Sequence, residues 1–265
     1  MKLQRGTSVI KLGPLSSLVV RGAVWFGLDE YPSFQFWADE LEELLSFAQG
    51  SSVLDRYLPE LRASRNQRDA ALSELRVAFY FHKNRFPITR WKPVGRLPKE
   101  GEFCIACASG GEIFVEVKGP GWESELPKEE RLAGRTKQPK YIDSEAKWVS
   151  SSEPIVMAVD KAYPKFSDAT ANLLVIADDL FVGYLERRSA LQDLEAGLAL
   201  YSCHNRGAFT NPSYERLGGV GIFAVAEKQG DISYNMRLFL NSFATKCALP
   251  QDFVAAFCGE TLPIA

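Results

Sequence analysis

An acid and a lysine stand two residues apart in an apolar segment near the middle of the chain. Glu116 and Lys118 alternate with valines in the run IFVEVKG at 113–119, which predicts a β-strand. Side chains two residues apart on a strand project from the same face. One face of this strand therefore presents a carboxylate beside an ammonium, while the valines can be buried on the other. The alternative interpretation is a solvated strand face with an ordinary Glu/Lys pair.

A second acid, Glu102, precedes a strand that can pair with the first. The runs FCIACA and EIFVEVK flank Ser109-Gly110-Gly111, which are good turn residues, so a β-hairpin is predicted. If these three residues form a loop with glycine in the left-handed position, residues i and 220 − i face each other.

In this register Glu102 lies opposite Lys118, and Cys104 lies opposite Glu116. Glu102 and Glu116 are then diagonal neighbours on one face, about 7–8 Å apart, and could share a divalent ion with Lys118 beside it. A two-residue loop would place Glu102 on the opposite face. The hypothesis therefore depends on the register of the hairpin.

A third acid, Glu74, belongs to a helix predicted over 66–84. Its neighbours on the helix surface are the small apolar residues Ala70, Ala71, Val77 and Ala78. A glutamate on such a stripe is costly to bury unless it is paired or bound to a metal. The alternative is that Glu74 pairs with Arg76 or with a basic residue elsewhere.

A helical glutamate, an acid that opens a hairpin and an E-V-K strand resemble, in this order, the PD-(D/E)xK nuclease superfamily, also called restriction-endonuclease-like. The pieces are SELRVAFYF with Glu74, GEFCIA with Glu102, and IFVEVKG with Glu116 and Lys118. The similarity covers about residues 66–180, including the following helix (PIVMAVDKAYPKF) and buried strand (NLLVIA). This chain departs from the family in having Gly-Glu where Pro-Asp is usual, and Glu100 is a nearby alternative acid.

The resemblance implies a Mg²⁺-dependent phosphodiesterase or endonuclease, with Mn²⁺ as a substitute ion and DNA as the expected substrate. Glu102 and Glu116 would hold the ion, with Glu74 as a direct or water-mediated ligand. The ion would polarise the scissile phosphate and activate a water. Lys118 would orient or help deprotonate that water, or stabilise charge in the transition state. Double-strand cutters of the superfamily are often dimers, so a homodimer is also suggested.

Two basic segments could follow a nucleic-acid backbone past this site. Residues 75–99 contain no Asp or Glu, and Arg85, Arg90, Lys92 and Arg96 are the expected nucleic-acid contacts there. The second segment, 131–141, adds Lys137 and Gln138. In some relatives a glutamine or lysine on the following helix assists, and Gln138 and Lys161 are candidates. The alternative is an ordinary exposed basic edge.

Composition excludes several classes of protein. The chain has 265 residues, and its 31 basic and 33 acidic residues give a net charge of −2, which excludes a histone-like polycation. Because the chain has only two histidines, a His-rich zinc site is not expected, and few residues could serve as the histidine of a Ser-His-Asp relay. The odd number of cysteines, five, argues against a secreted disulfide framework. The absence of a long uncharged apolar stretch predicts a cytoplasmic protein with no membrane partner.

The predicted helices and strands that must position these residues alternate along the chain. This alternation indicates an α/β fold with a restriction-endonuclease-like mixed central sheet flanked by helices. Residues 1–65 are expected to form a mostly helical N-terminal extension packed on the core, and 66–265 the core itself. Helices are expected near 32–49, 52–63, 143–150, 153–166 and 189–200, and strands at 17–27, 172–177 and in the runs GVGIFAVA and ISYNMRLFL. The alternative function is a non-catalytic nucleic-acid-binding or assembly module with a degenerate nuclease fold, favoured by the Gly-Glu departure and the small net charge.

Overall fold

The computed structural model describes residues 2–5, 8–20, 35–63, 65–91, 102–119, 153–178, 214–228, 231–241 and 244–257. Contacts within the chain divide it into two compact units. The described part of the first unit comes from the chain up to Phe79 and from Ala226–Ser233. The remaining described residues, from Tyr80 onward, belong to the second unit. The expected boundary between extension and core at 65/66 stays a prediction.

The first unit begins with a two-stranded antiparallel sheet and continues with helices. The strands are β1 (Lys2–Arg5) and β2 (Ser8–Lys11), and the helices are α1 (Ser16–Val19), α2 (Gln35–Gly50), α3 (Leu54–Leu61) and α4 (Arg65–Lys83), which crosses the boundary between the units. The spacing of apolar residues predicted α2, α3 and α4, and all three are confirmed. The strand predicted at 17–27 is wrong where it can be judged, because Ser16–Val19 is helical, and 21–27 lie outside the described residues.

A buried ion pair joins two helices of the first unit. Arg76 of α4 donates from Nε and Nη2 to the two carboxylate oxygens of Glu40 of α2, each at 2.8 Å. Both residues are buried, and the guanidinium carbon also lies 5.5 Å from the ring centroid of Trp37. Both oxygens of Glu40 thus receive a hydrogen bond, which is the arrangement that lets a charged pair be buried.

The second unit is built on a six-stranded mixed sheet. The strands are β3 (Ile88–Trp91), β4 (Phe103–Ala106), β5 (Glu112–Lys118), β6 (Ala171–Asp178), β7 (Gly219–Lys228) and β8 (Asp231–Leu240), and they lie in this order across the sheet. The pairs β3–β4 and β4–β5 are antiparallel, whereas β5–β6 and β6–β7 are parallel. The predicted α/β class and mixed sheet are therefore confirmed.

Helices cover both faces of this sheet. Helix α5 (Glu153–Ala162) and the 3₁₀ turn that follows it (Tyr163–Lys165) lie on one face, where Val159 and Ala162 pack with Phe114 and Leu174. On the other face, aromatic rings from the end of α4 and from helix α6 (Gln251–Ala256) meet the sheet, with Phe81 contacting both Phe103 and Phe253. Burial on both faces explains why β5 and β6 read as nearly continuous apolar runs.

The β4–β5 hairpin decides which face Glu102 occupies. Phe103 pairs with Val115 and Ala106 with Glu112, so residues i and 218 − i face each other. The loop is residues 108–110, with Gly110 at φ +86°. A three-residue loop with a left-handed glycine is therefore confirmed, but it begins one residue earlier than predicted.

The predicted register of 220 − i is accordingly wrong by two residues. Cys104 pairs with Phe114 instead of Glu116. Because side chains alternate with a period of two, a shift of two leaves each paired residue on its predicted face. The regular pairing ends at Phe103 and Val115, and the N–H of Glu102 also donates to the carbonyl of Val115, so Glu102 lies at an irregular end of the ladder and is not opposite Lys118 as predicted.

Candidate functional site

The site is built from two carboxylates on neighbouring strands. Glu102 immediately precedes β4 and is 5% exposed, and Glu116 lies within β5 and is fully buried. The backbone N–H of Glu102 donates to the carbonyl of Val115 at 2.9 Å, which fixes the start of β4 against β5. The ammonium of Lys165 contacts both carboxylates, so the two negative charges lie close together.

Two ammonium groups compensate these charges. Lys118 Nζ lies 2.6 Å from Glu116 Oε1, as the E-x-K spacing on one strand face predicts. Lys165 Nζ donates to the same oxygen and lies 3.9 Å from Glu102 Oε1. The side chains of Lys118 and Lys165 are 26% and 23% exposed, so the lysines connect the buried acids to solvent.

One carboxylate oxygen of this cluster stays without a partner among the described residues. Both lysines contact Glu116 Oε1, whereas Oε2 of the same carboxylate is buried and accepts no hydrogen bond there. A buried, unsatisfied carboxylate oxygen is costly, and a native protein rarely keeps one without a reason. The open oxygen is therefore able to accept a further hydrogen bond or to bind a cation.

The pKa of Lys118 lies above its ordinary value. Burial, the largest single effect, acts to lower it, but the charge and hydrogen bond of Glu116 and the charge of Glu102 together act more strongly in the opposite direction. Lys118 is therefore an ammonium at neutral pH. This state suits a group that attracts a phosphate, and it does not suit a general base.

Lys165 is the residue that the sequence did not reveal. It belongs to the 3₁₀ turn after α5, and the sequence instead singled out Lys161, which is exposed. The two lysines are four residues apart, one helical turn, so their common face was a usable signal. The sequence did not show where helix α5 ends, so it could not show which of the two lysines reaches the sheet.

Glu74, the proposed third acid, contacts two residues of the first unit. Tyr57 Oη donates to Glu74 Oε2 at 3.3 Å, and Arg56 Nη2 lies 3.6 Å from the same oxygen. The basic partner is thus Arg56, and Arg76, the suggested partner, binds Glu40. The role of Glu74 as a metal ligand stays a prediction.

The basic residues expected to bind nucleic acid are only partly described. Arg85 is exposed at the end of α4. Arg90 pairs with Cys104 across β3 and β4 and donates to its Sγ at 3.2 Å, so it lies on the sheet face that carries the two acids. The predictions for Lys92, Arg96, Lys137 and Gln138 fall outside the described residues.

The donor atoms of the site suit a hard divalent cation. Mg²⁺ prefers oxygen ligands and is commonly held by one or two carboxylates with waters filling the other positions. Glu102 and Glu116 offer two carboxylates close to each other, and Glu116 Oε2 is an open acceptor within the described ranges. No group of three or more acidic, histidine or cysteine side chains fit for a metal occurs in the described part of the chain. The pair would therefore be only part of a coordination shell.

Comparison with known proteins assigns no family, because no model of a protein family, no curated protein and no solved structure matches the chain. The fold and the site define an α/β protein whose mixed six-stranded sheet carries a buried cluster of two glutamates and two lysines. Across the described ranges, no helix combines the length and the hydrophobicity that a membrane crossing requires.

Proposed function

We propose that this protein is a metal-dependent nuclease that hydrolyses phosphodiester bonds of DNA. The observation that carries the proposal is the pair of carboxylates, Glu102 and Glu116, that one lysine ammonium contacts together, with an open buried oxygen and a second lysine beside it. Glu102 and Glu116 would hold Mg²⁺ or Mn²⁺, which supplies Lewis acidity toward the phosphate and an activated water when bound. Glu74 stays a candidate for a further ligand, direct or through water.

The lysines have distinct tasks in this proposal. The ammonium of Lys118, which contacts Glu116, would stabilise the negative charge that develops on the phosphate. Lys165, about a quarter exposed, would attract the phosphate from the solvent side. Arg90, on the same sheet face, would contact the backbone of the nucleic acid near the site.

The order of elements supports the same proposal. Helix α4, the β4–β5 hairpin, helix α5 and the parallel strand β6 occur in the chain order that the resemblance to PD-(D/E)xK nucleases implies. The acid that opens β4 and the E-V-K of β5 occupy the expected places in this order. Because fold similarity alone does not establish activity, the proposal depends on the residues of the site.

The proposal is tested by incubating the protein with plasmid, linear duplex and single-stranded DNA in Mg²⁺, Mn²⁺ or EDTA. We expect cleavage that requires the ion and that falls by at least about 100-fold in Glu116→Gln and Lys118→Met, because each removes a charge at the reacting phosphate. Glu112→Gln is the matched control, since Glu112 lies exposed at the other end of the same strand. Cleavage that survives both site substitutions would remove the assignment.

The second candidate function is a non-catalytic nucleic-acid-binding or assembly module. The observation that favours it is the charge balance, since two lysines already neutralise the two acids of the site. This function predicts no cleavage and no binding of Mn²⁺ by calorimetry, together with nucleic-acid binding that weakens steeply as salt is raised.

A further inference from the structure

Lys165 reaches both carboxylates from outside the hairpin. Its ammonium donates to Glu116 Oε1 and lies 3.9 Å from Glu102 Oε1. The ammonium of Lys165 therefore lies between the two carboxylates. A cation shared by Glu102 and Glu116 would be attracted to the same position. Lys118 Nζ lies 2.6 Å from the same oxygen, Glu116 Oε1.

The two lysines differ in how firmly they are tied to the site. Lys118 is part of β5, two residues from Glu116, and the strand register fixes its position. Lys165 extends from the 3₁₀ turn after α5, and its side chain is 23% exposed. A long lysine side chain at the edge of a site can turn its ammonium outward into water while its methylene groups stay packed.

A divalent ion that approaches the two acids meets an occupied site. The formal charges of Glu102, Glu116, Lys118 and Lys165 sum to zero, so the acids exert little net attraction on a further cation. An ion at the acids would also lie beside the ammonium of Lys165, and the two positive charges would repel each other strongly at such short range.

Building on the proposed function, we propose that Lys165 is an internal competitor of the divalent ion. In the metal-free protein its ammonium takes the place of the ion on Glu102 and Glu116, and it leaves Glu116 when the ion binds. The competitor keeps the buried acids paired before the ion arrives, and it lowers the affinity of the site for the ion.

The test is the affinity of the full chain for Mn²⁺, measured by isothermal titration calorimetry without any DNA. Lys165→Met removes the competing charge, and we expect its dissociation constant to fall by about tenfold relative to the wild type. Lys165→Gln keeps a donor for Glu116 but no charge, and its affinity should change in the same direction. Lys246→Met, which removes an exposed lysine from the C-terminal segment of the same unit, should stay within about twofold of the wild type.

The outcomes separate this inference from the proposed function. If the wild type binds Mn²⁺ and both neutral variants bind it equally or more weakly, Lys165 is no competitor, and the nuclease proposal still stands. If neither the wild type nor the neutral variants bind Mn²⁺, both proposals fall. Circular dichroism checks folding of each variant, and Lys165→Gln decides the matter if Lys165→Met does not fold.

Discussion

Two buried carboxylates, those of Glu40 and Glu116, differ in how many of their oxygens have a hydrogen-bond partner among the described residues. Glu40 receives a hydrogen bond from Arg76 on each of its two oxygens. Glu116 has both of its lysines on one oxygen, and the other oxygen has no partner in the described part of the chain. The first arrangement satisfies both oxygens of the carboxylate, whereas the second leaves one oxygen available to a further partner.

Arg85 holds a strained backbone at the end of α4, with φ +67°. Side chains other than glycine crowd the backbone in this region. We expect Arg85→Gly to raise the free energy of unfolding by roughly 0.5–1 kcal/mol, measured by urea denaturation. If Arg85 contacts DNA as predicted, the same change should weaken binding and reduce the salt dependence by about one counterion.

Arg85→Lys is the control, because it keeps both the charge and the strain. Its stability and its DNA affinity should both stay close to the wild type. A destabilised Arg85→Gly would show that the left-handed turn costs little here.

The loop of the β4–β5 hairpin and the start of helix α1 are each held by hydrogen bonds from another segment of the chain. In the β4–β5 hairpin, Ser109 of the loop donates from its N–H and its hydroxyl to Asp252 of α6, at 2.9 and 3.0 Å. The loop is therefore held by a segment 143 residues away, in addition to its left-handed Gly110. Such contacts choose one loop among several that the sequence permits.

The start of helix α1 is held in a similar way, by hydrogen bonds to Glu42 of α2. Its two carboxylate oxygens accept hydrogen bonds from the backbone N–H groups of Leu15 and Ser16, at 3.0 and 2.7 Å. Burial acts to raise the pKa of Glu42, but these hydrogen bonds act more strongly and bring the pKa below its ordinary value. Because the folded protein prefers the charged form, this contribution to stability is present above about pH 4.5 and is lost as the pH falls through the lowered pKa.

We expect Glu42→Gln to lower the free energy of unfolding by about 1–3 kcal/mol at pH 7, since the amide can accept only one of the two hydrogen bonds. The difference from the wild type should shrink in denaturation curves recorded at pH 3. Glu43→Gln, on the neighbouring exposed residue, should change stability by less than about 0.5 kcal/mol. A difference that stays constant with pH would contradict the role of the carboxylate.

At the scale of the whole molecule, segments far apart in sequence close the second unit. Buried Asn172 of β6 donates from Nδ2 to the carbonyl of Arg216 at 2.8 Å, and Gly218 N–H donates to the carbonyl of Asn172 at 2.9 Å. The backbone of Cys247 packs against the same glycine. These contacts join β6, the start of β7 and the C-terminal segment.

Gly218 is required because its neighbours leave no room for a side chain. A Cβ atom there would lie 2.4 Å from the carbonyl oxygen of Cys247 and 3.0 Å from that of Asn172. We expect Gly218→Ala to lower the melting temperature markedly, with a loss of about 2 kcal/mol or more, because backbone must move. Gly50→Ala is the control, since a Cβ there meets nothing within 4 Å. Equal melting temperatures for the two variants would refute the close approach.

The sequence by itself determined the elements that carry periodic patterns. The alternation of IFVEVKG placed Glu116 and Lys118 on one face of a strand that the structure gives as Glu112–Lys118. The spacing of apolar residues gave α4, and the apolar run NLLVIA gave β6 as a buried strand. These features follow from neighbours in the chain, so local patterns are sufficient to predict them. The hairpin at residues 2–11 and the helix α6 were missed, because short elements carry weak patterns.

Only the tertiary structure decided what meets at the site. The register of the β4–β5 hairpin follows from a loop one residue away from the predicted one, and several loops suit the same glycine-rich turn. Lys165 reaches the acids because α5 ends before it and packs across the sheet at one particular position. Distances between separate segments are set by packing and register, and these are properties of the whole chain that no local pattern contains.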